Sequence, residues 1–337
     1  MVVLAKYDKL EYPHHRLLFV WFSCENGVRG NVMLLSSESW EHYSTNLGIC
    51  LNGKCEDVIR NYLLPNNKGR IQLIFTSPPF PLNRAKKYGN LTGEAYKEWL
   101  CDVINCMLPL LTEDGSLVIE IGNAWNTKEP TFSTLPIETL LQIKNQCNLF
   151  LCEEFIYYNP ARLPSPIQYV NIERSRVKDS FTHIWWLSKS VHPKANNRNV
   201  LKQYSAQMQK LLKTGHYNSG NRPSEHKISK SAFSVDHGGS IPSNVLIASN
   251  TSSNDPYIRG CKKLGYKIHP ARMPADIPSF FIKFLTDESD IVFDCFAGSN
   301  TTGYCAELLN RRWISVEAEK DYYLGSFLRF AKCAEDI

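Results

Sequence analysis

Two clusters in this chain carry residue types and spacings suited to chemistry. The first is Thr76-Ser77-Pro78-Pro79-Phe80, directly after the apolar run Ile71-Gln72-Leu73-Ile74-Phe75. That run has the length and the β-branched and aromatic content of a buried strand. Adjacent prolines continue neither a strand nor a helix, so a small hydroxyl, a stiff backbone and an aromatic ring are presented at a strand tip. Ligands of open α/β sheets bind beyond the carboxyl ends of strands, and such a tip suits the gripping of a flat polar ring such as a nucleobase. Taken alone, Ser-Pro-Pro also marks an ordinary turn. Glu120 places a carboxylate near the end of a second apolar run, which closes on Gly122-Asn123.

The second cluster is Asp294-Cys295-Phe296-Ala297-Gly298-Ser299-Asn300-Thr301, an apolar run that passes through a small-residue loop into a helix. Gly298 permits close backbone approach of a ligand, and a helix start offers free N–H groups. Glu317 ends the following strand, nineteen residues beyond Gly298. An acid at that spacing commonly hydrogen-bonds a ribose hydroxyl. The loop is neither the glycine pattern of a dinucleotide site nor a P-loop. S-adenosylmethionine, which has a ribose and no phosphate, fits it best; an unliganded strand-turn-helix is the plain alternative.

The elements that must position these clusters alternate between strand and helix. Helices are expected at 55–63, 92–111, 136–148, 278–285 and 304–309, and strands at 71–75, 116–121, 150–158, 181–187, 290–296 and 313–317, with a turn at 113–115. This alternation predicts a doubly wound α/β sheet. Little of the chain follows the late cofactor loop, so its strand must be central in space, with the Ser77 strand near it across the topological switch point. Residues 1–42 read as an N-terminal extension, 43–188 as the catalytic half and 266–337 as the cofactor half.

Between them, 189–265 changes character. Residues 189–230 hold nine Lys or Arg and one acid, Glu225. That local excess is larger than the whole-chain formal charge of +5, so the positive charge is concentrated here. A charge run is often only a solvated face, but the asymmetry favours phosphate contact. Arg198, Lys202, Arg222 and Lys227 are the candidates. Hydrophobic residues at 43% and charged residues at 21% are ordinary for a soluble globular protein. Eleven cysteines without a C-x-x-C pair argue against structural zinc and for a reducing, cytoplasmic setting. Cys295 and Cys305 read as small buried hydrophobes. No run is long enough to span a membrane.

Together these residues resemble the β-group of amino-methylating DNA methyltransferases, and most closely the cytosine-N4 enzymes of restriction-modification systems. The likeness runs from about Tyr43 to Phe330. Ser77-Pro78-Pro79-Phe80 matches the catalytic motif and Asp294-x-Phe296-x-Gly298-Ser299-x-Thr301 the cofactor motif. The segment His269-Pro270-Ala271-Arg272-Met273-Pro274 matches the one that closes over the methionine part of the cofactor, which puts Arg272 and Pro274 beside Ala297 in the cofactor set. Asn159-Pro160, Leu163-Pro164-Ser165-Pro166 and Trp185-Trp186 are further landmarks.

The resemblance implies a Rossmann-like, circularly permuted methyltransferase sheet with an inserted DNA-recognition region. Its partners would be S-adenosylmethionine, double-stranded DNA and a functionally paired restriction endonuclease, the protein being a monomer or weak dimer near the nucleoid. Ser77 Oγ and the Pro78 carbonyl would accept from the target amino group, Phe80 would stack on the flipped base, and Glu120 would take the proton. Two departures stand out. Lys54 follows Gly53 where the family usually has an acid near the cofactor adenine, and an ammonium cannot accept a hydrogen bond. Glu120 stands where related enzymes carry Asp. Adenine N6 is the nearest alternative target, and a catalytically weak DNA-binding homologue is another. Cytosine C5 is disfavoured, because its chemistry uses a cysteine after proline and the chain has no Pro-Cys.

Overall fold

The computed structural model describes residues 40–80, 91–215, 235–250 and 255–330, residues 220 and 223, and the backbone alone at 7–12, 15–22, 30–36, 221 and 227–228. The strands are β1 Tyr7–Tyr12, β2 His15–Phe22, β3 Gly30–Ser36, β4 Glu41–Ser44, β5 Gly48–Asn52, β6 Ile71–Thr76, β7 Leu111–Gly122, β8 Phe150–Tyr158, β9 Phe181–Ser188, β10 Gly220–Asn221, β11 Lys227–Ile228, β12 Val245–Ile247, β13 Ile291–Asp294 and β14 Arg312–Glu317. The helices are α1 Cys55–Val58, α2 Leu64–Asn67, α3 Gly93–Met107, α4 Leu135–Gln146, α5 Ala206–Thr214, α6 Pro256–Leu264, α7 Asp276–Leu285, α8 Thr301–Leu308 and α9 Lys320–Ser326.

All but β10 and β11 join one sheet, in the order β1-β2-β3-β4-β5-β14-β13-β6-β7-β9-β8-β12. The centre, β5-β14-β13-β6-β7, is parallel. β6 is buried along its whole length because both faces of a parallel sheet are covered. On one side Ile71 and Ile74 meet Val58 of α1, the apolar stripe of α3 (Tyr96, Leu100, Val103, Ile104, Met107) and Ile143 of α4. On the other, Leu73 and Phe75 meet Ile277, Phe281 and Leu285 of α7, Ala306 of α8 and Tyr323 of α9. β13 is the last strand but one in sequence and lies in the middle of the sheet. From it the chain moves through α8 to β14 on one side; from its neighbour β6 it moves through α3 to β7 on the other. The switch point therefore lies between β13 and β6. No helix among the described residues is long and apolar enough to cross a membrane.

Several expectations shift in detail. Residues 113–115, expected as a turn, lie inside β7: the β6 pairing jumps from Ile71–Leu111 to Leu73–Ser116, and this irregularity absorbs them. The helix expected at 55–63 runs from α1 through a wider turn, Ile59–Leu63, into α2. The helix expected to begin at Tyr304 begins at Thr301, one residue after a capping Asn300. Residues 1–42 contribute β1 to β3 to the edge of the same sheet, the apolar run Arg16–Phe22 pairing on both sides.

The chain divides into one compact unit of Met1–Lys194 with Asn244–Ile337 and a smaller one of Ala195–Ser243. The expected recognition region, 189–265, is wider than the smaller unit. Its C-terminal part belongs to the sheet unit because Val245–Ile247 pairs in parallel with β8, and Tyr257, Ile258 and Cys261 of α6 bury against Leu328. In the smaller unit, Ser205 caps α5 through its hydroxyl and Gly215 ends it in the left-handed region, at φ 66°. Lys202 and Ser240 exchange backbone hydrogen bonds of 2.9 and 2.8 Å.

Gly48 of β5 lies opposite Trp313 of β14. A Cβ there would sit 2.2 Å from the indole ring. Gly48→Ala must displace a fully buried tryptophan, and urea unfolding should show a loss of about 1–3 kcal/mol, the usual cost of overpacking.

Candidate active site and cofactor cleft

The carboxyl ends of β6, β7, β13 and β14 bring most of the predicted residues to one edge of the sheet. Ser77 follows β6, with Pro78 buried and Pro79 and Phe80 half-buried. Glu120 of β7 is buried. It accepts from the Thr182 hydroxyl at 3.0 Å, lies beside the Ser77 hydroxyl, and feels the charge of Arg162. Burial raises its pKa above the ordinary carboxylate range; the two hydroxyls and Arg162 offset part of this. Phe80 lies on the end of β7: a Cβ on Gly122 would come within 2.3 Å of its ring. Gly122 is therefore the seat of the aromatic residue at the strand tip.

Asp294 ends β13 and is buried. Its Oδ1 accepts from the Thr76 hydroxyl at 2.8 Å and from the Phe296 N–H at 3.1 Å, and its Oδ2 accepts from the Thr302 hydroxyl at 2.7 Å. Burial raises its pKa as well. The carboxylate thus joins the Ser77 strand, the loop and the helix after it.

The loop residues follow from that anchor. Ala297 donates its N–H to the Val316 carbonyl at 3.0 Å. Gly298 sits at φ 53°, a region that favours glycine. Its N–H donates to Glu317 Oε2 at 2.7 Å, while Glu319 N–H donates to Oε1 at 2.8 Å. The Ser299 and Thr301 hydroxyls lie 3.3 Å apart, both buried. A Cβ on Gly298 would meet the His269 ring at 3.0 Å, so the segment 269–274 lies over the loop. Arg272 reaches the His269 carbonyl at 3.5 Å, its own carbonyl accepts from Asn250, and the Pro274 carbonyl opens α7 by accepting from Ile277 N–H at 3.1 Å.

A nucleoside with a ribose and no phosphate fits this cleft: an acid at the end of β14, a glycine cradle closed by His269, and a helix start. Phe296 extends the cleft as a half-buried ring 5.7 Å from Trp99, whose Nε1 donates to Glu56 at 3.0 Å.

Three further residues belong to the site beyond those the sequence singles out. Asn300 adopts φ 53°, caps α8 through its side chain, and binds Ser315 Oγ at 2.7 Å and Tyr43 Oη at 2.9 Å. Asparagine immediately before a helix is a cap signal and would have found it. Thr182 comes from the antiparallel neighbour β9, and Arg329 reaches Ser299 O at 2.6 Å from the end of the domain; neither has a local signature. Arg198 and Lys202 lie exposed in the smaller unit. Lys227 is described only as backbone of β11, and Arg222 lies outside the described residues.

The family model described as DNA methylase matches residues 71–327. The chain belongs to this DNA methylase family. It is 42% identical over 290 residues to the type II methyltransferase M.PvuII of Proteus hauseri, covering 86% of this chain and 85% of that one. The solved PvuII DNA methyltransferase, described as cytosine-N4-specific, superposes with a TM-score of 0.69 at 35% identity, over 86% of this chain and 88% of that one. A putative DNA modification methylase of Thermus thermophilus, solved with S-adenosyl-L-methionine, shares the fold at a TM-score of 0.51 and 17% identity, over 85% and 95% of the two chains.

Burial pushes the Glu317 pKa up to about 7 from an ordinary value of 4.5, against the pull of the Glu319 and Gly298 N–H groups. Between those values the unfolded chain has released this proton and the folded chain retains it. Its contribution to stability therefore falls as pH rises from about 4.5 to about 7 and is level above. In urea unfolding from pH 4 to 8, Glu317→Gln should lose stability less steeply than wild type over that interval; equal slopes would place the proton elsewhere.

Proposed function

We propose that the protein transfers a methyl group from S-adenosylmethionine to the N4 amino group of cytosine within a specific double-stranded DNA sequence. This would protect that DNA from a partner restriction endonuclease. The observation that carries the reading is the placement of Ser77 beside the buried Glu120 at the switch-point edge, in a strand tied through Thr76 and Asp294 to the cofactor loop.

N4 is paired and stacked in a duplex, so the base must leave the helix at a cost of a few kcal/mol. Phe80, seated on Gly122, offers the face on which the extruded ring stacks, worth about 1–3 kcal/mol by analogy with single-strand platforms. The amino lone pair is conjugated into the ring and is a poor nucleophile. Ser77 Oγ and the Pro78 carbonyl accept its N–H bonds and draw the nitrogen towards tetrahedral geometry. When bound, S-adenosylmethionine supplies a sulfonium methyl that this nitrogen attacks. As the N–C bond forms, the S–CH3 bond breaks and its electron pair stays on sulfur, leaving a neutral thioether, and the amino group releases a proton. Ser77 passes it to Glu120, whose burial raises its affinity for a proton. On the cofactor side, Glu317 accepts from the ribose, and Gly298, Ser299 and Thr301 line the loop. Arg272 and Pro274, in the segment beside the loop, would cover the methionine end.

The protein acts in the cytoplasm, on nucleoid DNA, as a monomer or weak dimer. The basic segment of the smaller unit supplies phosphate contacts through Arg198, Lys202, Arg222 and Lys227.

Two measurements test this. Digestion of methylated duplex DNA to nucleosides should yield N4-methylcytosine; N6-methyladenine in its place would overturn the assignment. In that assay Ser77→Ala and Glu120→Gln should each slow transfer by about 10²–10⁴-fold, the range for loss of a proton-transfer group, while DNA and cofactor still bind. For the smaller unit, Arg198→Ala and Lys202→Ala should each flatten the dependence of log affinity on log salt by about 0.9, one phosphate contact apiece. Unchanged slopes would remove those side chains from the DNA interface.

A further inference from the structure

The cofactor cleft lacks an acid where Lys54 stands, and the structure offers another two residues along. We infer that Glu56 is the group that recognises the amino edge of the cofactor's adenine. This rests on the S-adenosylmethionine reading above and adds to it a specificity-determining residue.

The ends of β5 and β14 are stitched together: Gly53 N–H and Asn52 Nδ2 both donate to the Glu317 carbonyl, at 3.0 and 2.8 Å. The turn that follows β5, Gly53 to Glu56, is thereby placed beside the residue that would hold a ribose, and its side chains are the candidates to meet an attached base. Lys54 in that turn is exposed and carries only donors. Adenine presents a donor, its exocyclic amino group, so Lys54 cannot recognise it.

Glu56 has the needed character. It is half-buried in the first turn of α1. Trp99 Nε1 donates to Oε1 at 3.0 Å, and the neighbouring Cys55 thiol donates to Oε2 at 3.2 Å. The Trp99 ring lies 5.7 Å from Phe296 of the cofactor loop. The Cys55 side chain also lies beside Cys295 of that loop. The carboxylate is therefore fixed on the wall formed by the cofactor loop. Burial alone would raise its pKa, but the surrounding N–H, thiol and indole donors and Arg60 outweigh it, so the group is held ionised. Its two oxygens take three donors within the protein, which leaves a lone pair for an incoming donor. An ionised acceptor favours adenine, with an amino group at this position, over hypoxanthine, which carries a carbonyl oxygen there.

Calorimetry with S-adenosylhomocysteine and its inosine counterpart, in which the 6-amino group is replaced by oxygen, tests the assignment without any turnover. Wild type should bind the adenosine ligand about ten-fold or more tightly than the inosine ligand, the usual scale for one hydrogen bond to a charged group. Glu56→Gln should shrink that preference several-fold while changing the affinity for the inosine ligand little. Trp99→Phe removes a donor to Glu56 but keeps the carboxylate, and should retain the preference. Glu56→Asp, a milder change, should reduce it in the same sense and serves if the Gln variant fails to fold. Equal weakening of both ligands in the Glu56 variants would make Glu56 a structural clamp for Trp99 and overturn the proposal. Wild type binding both ligands equally would also overturn it and leave the cofactor reading standing. Failure of wild type to bind either ligand would instead remove the cofactor reading itself.

Discussion

The site depends on one buried carboxylate. Asp294 ends the central strand and takes three donors, one from the strand that carries Ser77, one from its own loop and one from the helix that follows. A charge sealed in the sheet is costly unless every lone pair that faces protein is used. Here that cost has a geometric return, because the two strands meet at the switch point and their loops leave in opposite directions. The β6–β13 ladder sets the register of the two strands as far as Ile74 and Phe293, and the Thr76–Asp294–Thr302 tie carries it past the end of the ladder to the serine tip and the loop; methyl transfer needs both ends of the reacting line closely fixed.

Three acids line this edge, and burial raises the pKa of each, but their surroundings separate their duties. Asp294 takes three protein donors from three segments, which suits it to hold position. Glu317 receives two backbone N–H groups, one per oxygen, and keeps a lone pair on each for a ligand hydroxyl. Glu120 receives the Thr182 hydroxyl and lies beside that of Ser77, a group that can itself exchange a proton. A carboxylate whose partner can pass a proton is suited to acid-base work, and one whose partners are fixed amides is suited to binding. The division of labour proposed above follows from the type of donor more than from the acids themselves.

Much of this is legible in the sequence, for local reasons. The strand at 71–76 announces itself by composition, the paired prolines mark its tip, and Gly298 and Glu317 announce the cofactor loop by spacing. Strand Phe150–Tyr158 falls where its pattern places it. What is not legible depends on contacts between distant segments. Glu113 to Gly115 looks like a turn because Asp-Gly favours one, yet the stretch is taken up as an irregularity within β7, between the residues that pair with Ile71 and Leu73 of β6. Thr182 reaches Glu120 only because β9 runs antiparallel beside β7, and Arg329 reaches Ser299 only because the chain's last helical turns fold back over α6. Val245–Ile247 reads as part of the basic segment by its polar surroundings, while three short apolar residues are enough to return it to the sheet.

Glycine at two positions shows how backbone shape rather than side-chain chemistry builds the cleft. Gly122 leaves room for the Phe80 ring to lie on the end of β7, and Gly298 leaves room for His269 to lie on the cofactor loop. In both cases a ring occupies the space a Cβ would take, so each ring is set by the strand or loop beneath it instead of by its own flexible rotamer. The two seats sit at the ends of β7 and β13, on either side of β6. The serine tip is therefore flanked by two aromatic walls whose positions are fixed by the same sheet that fixes the serine. A reaction between a flat base and a methyl donor needs such walls on both sides, and the sheet supplies them from strands far apart in sequence.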